Sequence, residues 1–244
     1  MKRGGSAGYD RHITVFSPEG RLHQVEYAKK ASKNMKSSSL VLKNKDSILA
    51  LIMKKNNKNK KRLGADFKIF PLTDFSSCIF AGFLGDIDMK IHEITKESVR
   101  FFQRYNQLIP MDSLANHLSD SNQIFTQYAY TRPLAVCTLI IGIDEETGPQ
   151  IYKCEPSGKC SSHFICALGE KESLLDPKMT YKITQKLKNS FSIGSSIDTA
   201  MSIIKNLFCY DIRSMSVEIL TSVQGESSLR KLTKKEIDYF IENS

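Results

Sequence analysis

No apolar stretch in this 244-residue sequence is long enough to cross a bilayer as a helix. The longest, residues 135–143, is interrupted by Thr138 and Gly142 and falls well short of the roughly 20 residues a span requires. The opening MKRGGSAG has no apolar core of the kind a secretory signal needs, so the chain is expected to stay where it is made. Also missing are any C-x-x-C pair and any N-x-S/T sequon. Both absences suit a reducing compartment, and the expected location is cytoplasm and nucleus. Cys78, Cys137, Cys154, Cys160, Cys166 and Cys209 are scattered, several of them in strand-like runs where cysteine acts as a small hydrophobe. The spacing of Cys154, Cys160 and Cys166 is poor for structural zinc, so no metal site and no cofactor are expected.

What is present describes a folded chain. Hydrophobic residues make up 41% and charged residues 25%, which rules out wholesale disorder, and the length favours one large domain over two small ones. The formal charge of +9 raises the possibility of nucleic-acid binding. Six of those positive charges, Lys54, Lys55, Lys58, Lys60, Lys61 and Arg62, fall in one asparagine-rich segment without stacking aromatics. The basicity is therefore local and reads first as a solvated loop.

The first dozen residues are small, glycine-rich and charged, a tail that orders only against something else. After the turn-forming Ser17-Pro-Glu-Gly20, Leu22, Val25 and Ala28 at helical spacing predict a helix over residues 21–33. Strands are expected at residues 38–43 and 47–53 around the Asn44-Lys-Asp46 turn, then at 67–72 and 77–81. The period then changes. Ile87, Ile91, Ile94, Phe101, Tyr105 and Leu108 predict a long helix closed by Pro110, and Leu114, Leu118, Phe125 and Tyr128 a second one with Asp112 as N-cap. Strands return at 134–143, 150–153 and 163–168, helices around 181–187 and 197–208, a strand at 215–222 and a last helix at 234–241. Strands, helix pair, strands, helix pair is the order of an α+β four-layer αββα sandwich of two antiparallel sheets flanked by helices.

Residues 8–28, GYDRHITVFSPEGRLHQVEYA, closely resemble the amino-terminal signature of 20S proteasome α-type subunits, and a match of this length is highly specific. A second likeness lies in Arg132-Pro-Leu134 and in IIGIDEETGPQIYKCEPSG at residues 140–158; LTKKEID at 232–238 fits as well. Within the family these features are most similar to the eukaryotic type 6 subunits, at the first position of the α ring. The resemblance thins over residues 29–66 and 171–208.

The resemblance implies the fold of amino-terminal-nucleophile hydrolases, with residues 1–12 as a gate tail and 13–244 as a single domain. It implies a non-catalytic subunit with no catalytic residues of its own, partnered by six other α subunits in a seven-member ring and by an adjacent β ring. Regulatory particles or other activators would dock through C-terminal tails, in the service of ubiquitin-dependent protein degradation, with no membrane and no specific nucleic acid as partner. Residue by residue, the family's open-gate cluster maps onto Tyr9, Asp10, Pro18 and Tyr27, and its activator-tail lysine onto Lys68. The plain alternatives are a turn proline, a helix-face tyrosine and a solvated strand-end lysine. Two departures stand out: Met35 or Lys36 replaces the family glycine before the first sheet strand, and the family Asp-x-Arg reads Asp86-Ile-Asp88, so an arginine contact is lost.

Two other functions compete. A self-processing amino-terminal-nucleophile hydrolase would expose Ser37, Ser38 or Ser39 as a new terminus. A basic nucleic-acid-binding protein would use residues 54–62. A serine triad with His163 and Asp144 is not expected, since the first sits on a strand-like run and the second in an acidic turn.

Overall fold

The computed structural model describes residues 12–33, 38–55, 65–144, 146–169, 172, 180, 194, 197, 200–202, 215–223 and 229–243. Strands β1 (Ser38–Lys43) and β2 (Ser47–Lys55) form an antiparallel hairpin closed by a tight turn, in which Asn44 N–H donates to the Ser47 carbonyl at 2.7 Å. Every residue of β1 is buried, which a strand achieves only when both faces are covered. Strands β3 (Ala65–Pro71) and β4 (Ser76–Phe83) make a second hairpin. Pro71 is tolerated in β3 because that strand lies at a sheet edge.

Two helices then interrupt the strands. Helix α1 (His23–Lys33) has already preceded β1; α2 (Leu84–Tyr105) follows β4 directly, and α3 (Met111–Gln127) packs beside it. Strands β5 (Val136–Asp144), β6 (Gly148–Cys154) and β7 (Cys160–Ser162) complete a sheet of order β3-β4-β5-β6-β7. The other sheet takes β8 (Ile165–Gly169), β9 (Met215–Val223) and β10 (Arg230–Lys231), in the order β10-β9-β2-β1-β8. All these pairings are antiparallel. Helix α4 (Lys234–Asn243) opens on a capping box, with the Glu236 carboxylate accepting from both the N–H and the hydroxyl of Thr233, at 2.8 and 2.9 Å.

Three apolar clusters fill the spaces between four layers. Val41, Ile48, Ala50, Ile52, Ile79, Leu139 and Ile141 meet between the sheets. Leu40, Leu42, Leu49, Leu51 and Ile219 face the opposite way, toward Ile197, Ala200, Met201 and Ile237. Phe80, Ile140, Cys78 and Cys154 lie under Ile87 and Ile94 of α2 and Leu114 and Leu118 of α3. The expected αββα sandwich is therefore the architecture observed. None of the described helices is long and apolar enough to cross a membrane.

The differences from expectation are local. Helix α2 stops at Tyr105 rather than at Pro110, because Asn106 takes a left-handed conformation (φ 52°) and donates its N–H to the Phe102 carbonyl at 2.8 Å. Leu108 thus lies beyond the helix. Pro110, not Asp112, is the N-cap of α3; Asp112 sits inside the first turn and accepts from Ser113 N–H at 2.7 Å. Strand β2 runs on through Lys55. The run at 163–168 divides: His163 N–H donates to Ile151 in one sheet, and the next residue, Phe164, accepts from Lys43 N–H in the other. Strands β7 and β10 have no sequence signal. Ile197 and Met201 are helical and buried, as their spacing predicts, whereas most of the two helices expected over 181–208 lies outside the described residues.

Asp86, in the first turn of α2, is 3% exposed and fixes the helix to the chain entering β5. Arg132 grips it with both terminal guanidinium nitrogens, Nη1 at 2.7 Å, and Ala135 N–H donates to it at 3.0 Å. The guanidinium hydrogen bonds hold this carboxyl below the usual aspartate range; burial opposes the shift, and the Ala135 bond adds to it. Since the folded-state pKa is depressed, the contribution is full above the unfolded value of about 4 and is lost as pH falls through the folded one. Asp86→Asn is expected to cost about 1–3 kcal/mol in urea unfolding at neutral pH. The gap to wild type should shrink below pH ~4, and a gap independent of pH would show that the charge of Asp86 is not what matters.

Candidate functional site

The amino-terminal segment enters the described region at His12, and Ile13, 7% exposed, is its first anchor. A closed turn follows. Gly20 N–H donates to the Ser17 carbonyl at 2.8 Å, Ser17 N–H to the Arg21 carbonyl at 2.9 Å, and Arg21 N–H to the Ser17 hydroxyl at 3.1 Å. Pro18 at the second position pre-sets φ, and Gly20 supplies the positive φ of 75° that closes the turn. Pro18 is exposed. Tyr27, one turn into α1 from His23, stacks on that imidazole at 6.2 Å and remains 49% exposed. Tyr9 and Asp10 lie outside the described residues, as do Met35 and Lys36.

Helix α1 rests on β4 and β5 of one sheet and β8 of the other, so it covers the end of the sandwich where β1 begins. Ala28 and Ser32 are its buried face. Beneath it lies a network of charges that sequence reasoning missed. Lys29 pairs with Glu155 at 2.6 Å and Lys33 with Glu172 at 3.2 Å, while Lys153, 7% exposed, reaches Glu172 closely and Glu155 at 3.9 Å. Three ammonium groups on two carboxylates hold α1 across both sheets, and no spacing rule predicts pairs 126 residues apart.

Ser38 and Ser39, the residues an amino-terminal nucleophile would need to expose, are fully buried in β1 under this cover. Ser38 stands opposite Met53 on one side and Gly169 on the other. Ser37 is outside the described residues.

Lys68 projects from edge strand β3 and is 45% exposed. It borders a cleft of about 520 Å³ shared with Asp74, Glu218, Leu229 and Lys231. Its ammonium pairs with Asp88 of α2 at 2.6 Å.

The remaining sequence candidates separate. His163 Nε2 lies 2.7 Å from the Ser161 hydroxyl, but Asp144 is turned into its own loop, accepting from Glu146 N–H at 3.1 Å. Burial and the nearby Lys153 and Lys159 ammonium groups lower the pKa of His163. Cys154 packs under the α2–α3 layer and Cys166 between the sheets, so Cys154, Cys160 and Cys166 do not converge on a common centre. Lys54 and Lys55 extend β2, and residues 56–64 lie outside the described residues.

Comparison with known proteins bears on this geometry. The family described as "Proteasome subunit" matches residues 35–219, and the N-terminal signature of A-type proteasome subunits matches residues 9–31, the turn and most of α1. The alpha type-6 proteasome subunit of Caenorhabditis elegans is 28% identical over 99% of this chain and 97% of its own length, in keeping with the type 6 likeness of the sequence. A probable alpha type-1 proteasome subunit of Schizosaccharomyces pombe is 29% identical over 97% of this chain and 96% of its own. The alpha type-4 proteasome subunit of Drosophila melanogaster is 28% identical over 96% and 90%. A turn, a covering helix and a two-sheet sandwich, matched along nearly the whole chain, lead to one conclusion: the chain belongs to the proteasome subunit family, among its α-type members.

Proposed function

We propose that the chain is a non-catalytic α-ring subunit of a 20S proteasome core particle, acting in ring assembly, in gating of substrate admission and in activator docking for ubiquitin-dependent protein degradation. The observation that carries this reading is the A-type signature, whose described part is a closed turn and a helix laid over the end of the sandwich where β1 begins. An amino-terminal nucleophile acts from a free chain end, its own α-amine serving as base. Here the chain continues back from two buried serines into α1. Residues 1–12 then serve as the gate tail and 13–244 as the domain that carries it. The partners are six other α subunits and an adjacent β ring, in cytoplasm and nucleus.

The test is native mass spectrometry of the particle that co-purifies with the chain, with its peptidase activity. Six other α-type chains and β chains, with residues 9–28 uncleaved, are expected. A monomer or homo-oligomer carrying a processed serine terminus would overturn the reading.

The gate has its own test. Pro18 makes the turn a rigid lever, and Tyr27 presents a hydroxyl one helical turn beyond the start of α1. Tyr27→Phe in the assembled particle is expected to lower activator-stimulated hydrolysis of small peptides while leaving basal hydrolysis in place. Stimulated hydrolysis equal to wild type would remove Tyr27 from the gate.

Docking at Lys68 follows from charge. A C-terminal carboxylate can pair with an ammonium as a latch, but in this chain it must displace Asp88 from Lys68. An exposed pair of this kind is worth about 0.2–1 kcal/mol. Asp88→Asn is therefore expected to tighten binding of an activator-tail peptide at this interface by up to roughly fivefold, and Lys68→Ala to abolish the gain. Equal affinity in wild type and Asp88→Asn would show that Asp88 does not guard the pocket.

A further inference from the structure

Two of the five described cysteines stand apart from the rest. Cys78, Cys137 and Cys166 are buried thiols whose pKa burial pushes up, to about 12 for Cys78 and Cys166. Cys154 and Cys160 face each other across the β6–β7 hairpin, register partners with their sulfurs 3.3 Å apart. Glu155 N–H donates to the Lys159 carbonyl at 2.9 Å and His163 N–H to the Ile151 carbonyl at 3.0 Å. The hydrogen-bonded pairs thus fall on the odd-numbered residues of the ladder, leaving Cys154 and Cys160 as a non-hydrogen-bonded pair. At such a site the Cα atoms lie about 4.5 Å apart, within the range a disulfide spans, and side-chain rotation alone can bring the sulfurs into bonding distance.

The two thiols differ in a way that suits them to successive steps. Cys154 is fully buried, and Cys160 is only half-buried. The two thiols share one hydrogen bond, and with the buried Cys154 as donor it favours the thiolate of Cys160; burial works against this, and Ser161 N–H assists. The same hydrogen bond, with burial, raises the pKa of Cys154.

We infer that Cys154 and Cys160 form an oxidisable pair, a modification site at which a peroxide converts the base of the β6–β7 hairpin into a cross-strand disulfide. The Cys160 thiolate attacks one peroxide oxygen; the O–O bond breaks, the second oxygen leaves as hydroxide and takes up a proton as water, and Cys160 becomes a sulfenic acid. Cys154 then attacks the Cys160 sulfur. The S–S bond forms, the S–O bond breaks, and the departing hydroxide takes the Cys154 proton as a second water. Two thiols lose two electrons in all, and one peroxide is reduced to two waters. The product ties the three-residue edge strand β7 to β6 immediately beside Glu155, the carboxylate that holds Lys29 of α1.

The experiment uses the full-length chain in its native particle. Hydrogen peroxide is applied, free thiols are blocked with iodoacetamide, and tryptic peptides are read by mass spectrometry. Trypsin cuts after Lys153 and Lys159, so the two cysteines fall in separate peptides. The expected result is a Cys154–Cys160 linked pair that dithiothreitol releases. In Cys154→Ala, Cys160 should stop at a sulfenic acid captured by dimedone. Before oxidation, N-ethylmaleimide should label Cys160 at least ~10-fold faster than Cys78, Cys137 or Cys166. Two fully alkylated cysteines after peroxide, or Cys160 linked elsewhere, would overturn the proposal. So would labelling of Cys160 no faster than the buried thiols.

Discussion

The rest of the molecule depends on the burial of both faces of both sheets. Strand β1 shows the constraint at its sharpest: Leu40 and Leu42 enter the cluster beneath Ile197 and Met201, while Val41, between them, points into the space between the sheets. A strand of alternating side chains can satisfy two cores at once only if layers lie on both sides of it. Packing of this density leaves little room for a residue to change face or add an atom. At Gly142 a Cβ would come within 2.5 Å of the Phe75 carbonyl oxygen and 2.8 Å of the Ser76 Cα, so the β4–β5 contact tolerates only glycine there. The functional consequence is that β1 starts inside the protein. Its first residues, Ser38 and Ser39, are fully buried where α1 packs over that end of the sandwich.

Charge does a different job from apolar burial here. Lys43 and Lys90 are buried lysines, and burial lowers the pKa of both. Each is held by specific neighbours: Lys43 donates to the Pro149 carbonyl and the Gln150 side chain and lies 4.7 Å over the Phe164 ring. Lys90 donates to Glu93 and Ser121 and lies 5.8 Å over Phe125. Taking an ammonium out of water costs several kcal/mol, so such lysines add little net stability. What they fix is position: Lys43 sets the crossing of the chain from one sheet to the other, and Lys90 sets α2 against α3. The network under α1 follows the same logic with more partners. Lys153 stays buried because two carboxylates face it, and those carboxylates in turn hold Lys29 and Lys33.

How much of this is legible in the sequence depends on how local the cause is. Strands β1, β2 and β5 carry β-branched and leucine-rich runs, and they appear where those runs are. Strands β7 and β10, three and two residues long, exist because a neighbouring strand offers a free edge, and composition does not encode that. The apolar spacing of α2 continues to Leu108, whereas the helix ends on the backbone conformation of Asn106. Asp112 has the chemistry of an N-cap, but Pro110 already holds that place with extended backbone. Of the proposed gate residues, Pro18 and Tyr27 come from the likeness of the amino-terminal signature. The Asp88 partner of Lys68 and the network around Lys153 are not, since each joins elements brought together only by folding.

The turn between Cys154 and Cys160 meets two helices at once. Glu155 pairs with Lys29 of α1, its carbonyl accepts from Asn122 of α3 at 2.9 Å, and the Gly158 carbonyl accepts from the Ser119 hydroxyl. Gly158 itself is required. Its φ is 83°, and a Cβ there would approach the Gln123 Cβ to 2.8 Å. A loop in such close contact with α3 cannot shift by much without breaking those bonds, so α1 is referred to α3 through a nearly fixed bridge. The amino-terminal turn leads into α1, so the Lys29–Glu155 pair and this loop connect that end of the chain to α3. That places the oxidisable thiols at the base of the bridge, on a three-residue edge strand whose hold on its neighbour a covalent bond would strengthen directly.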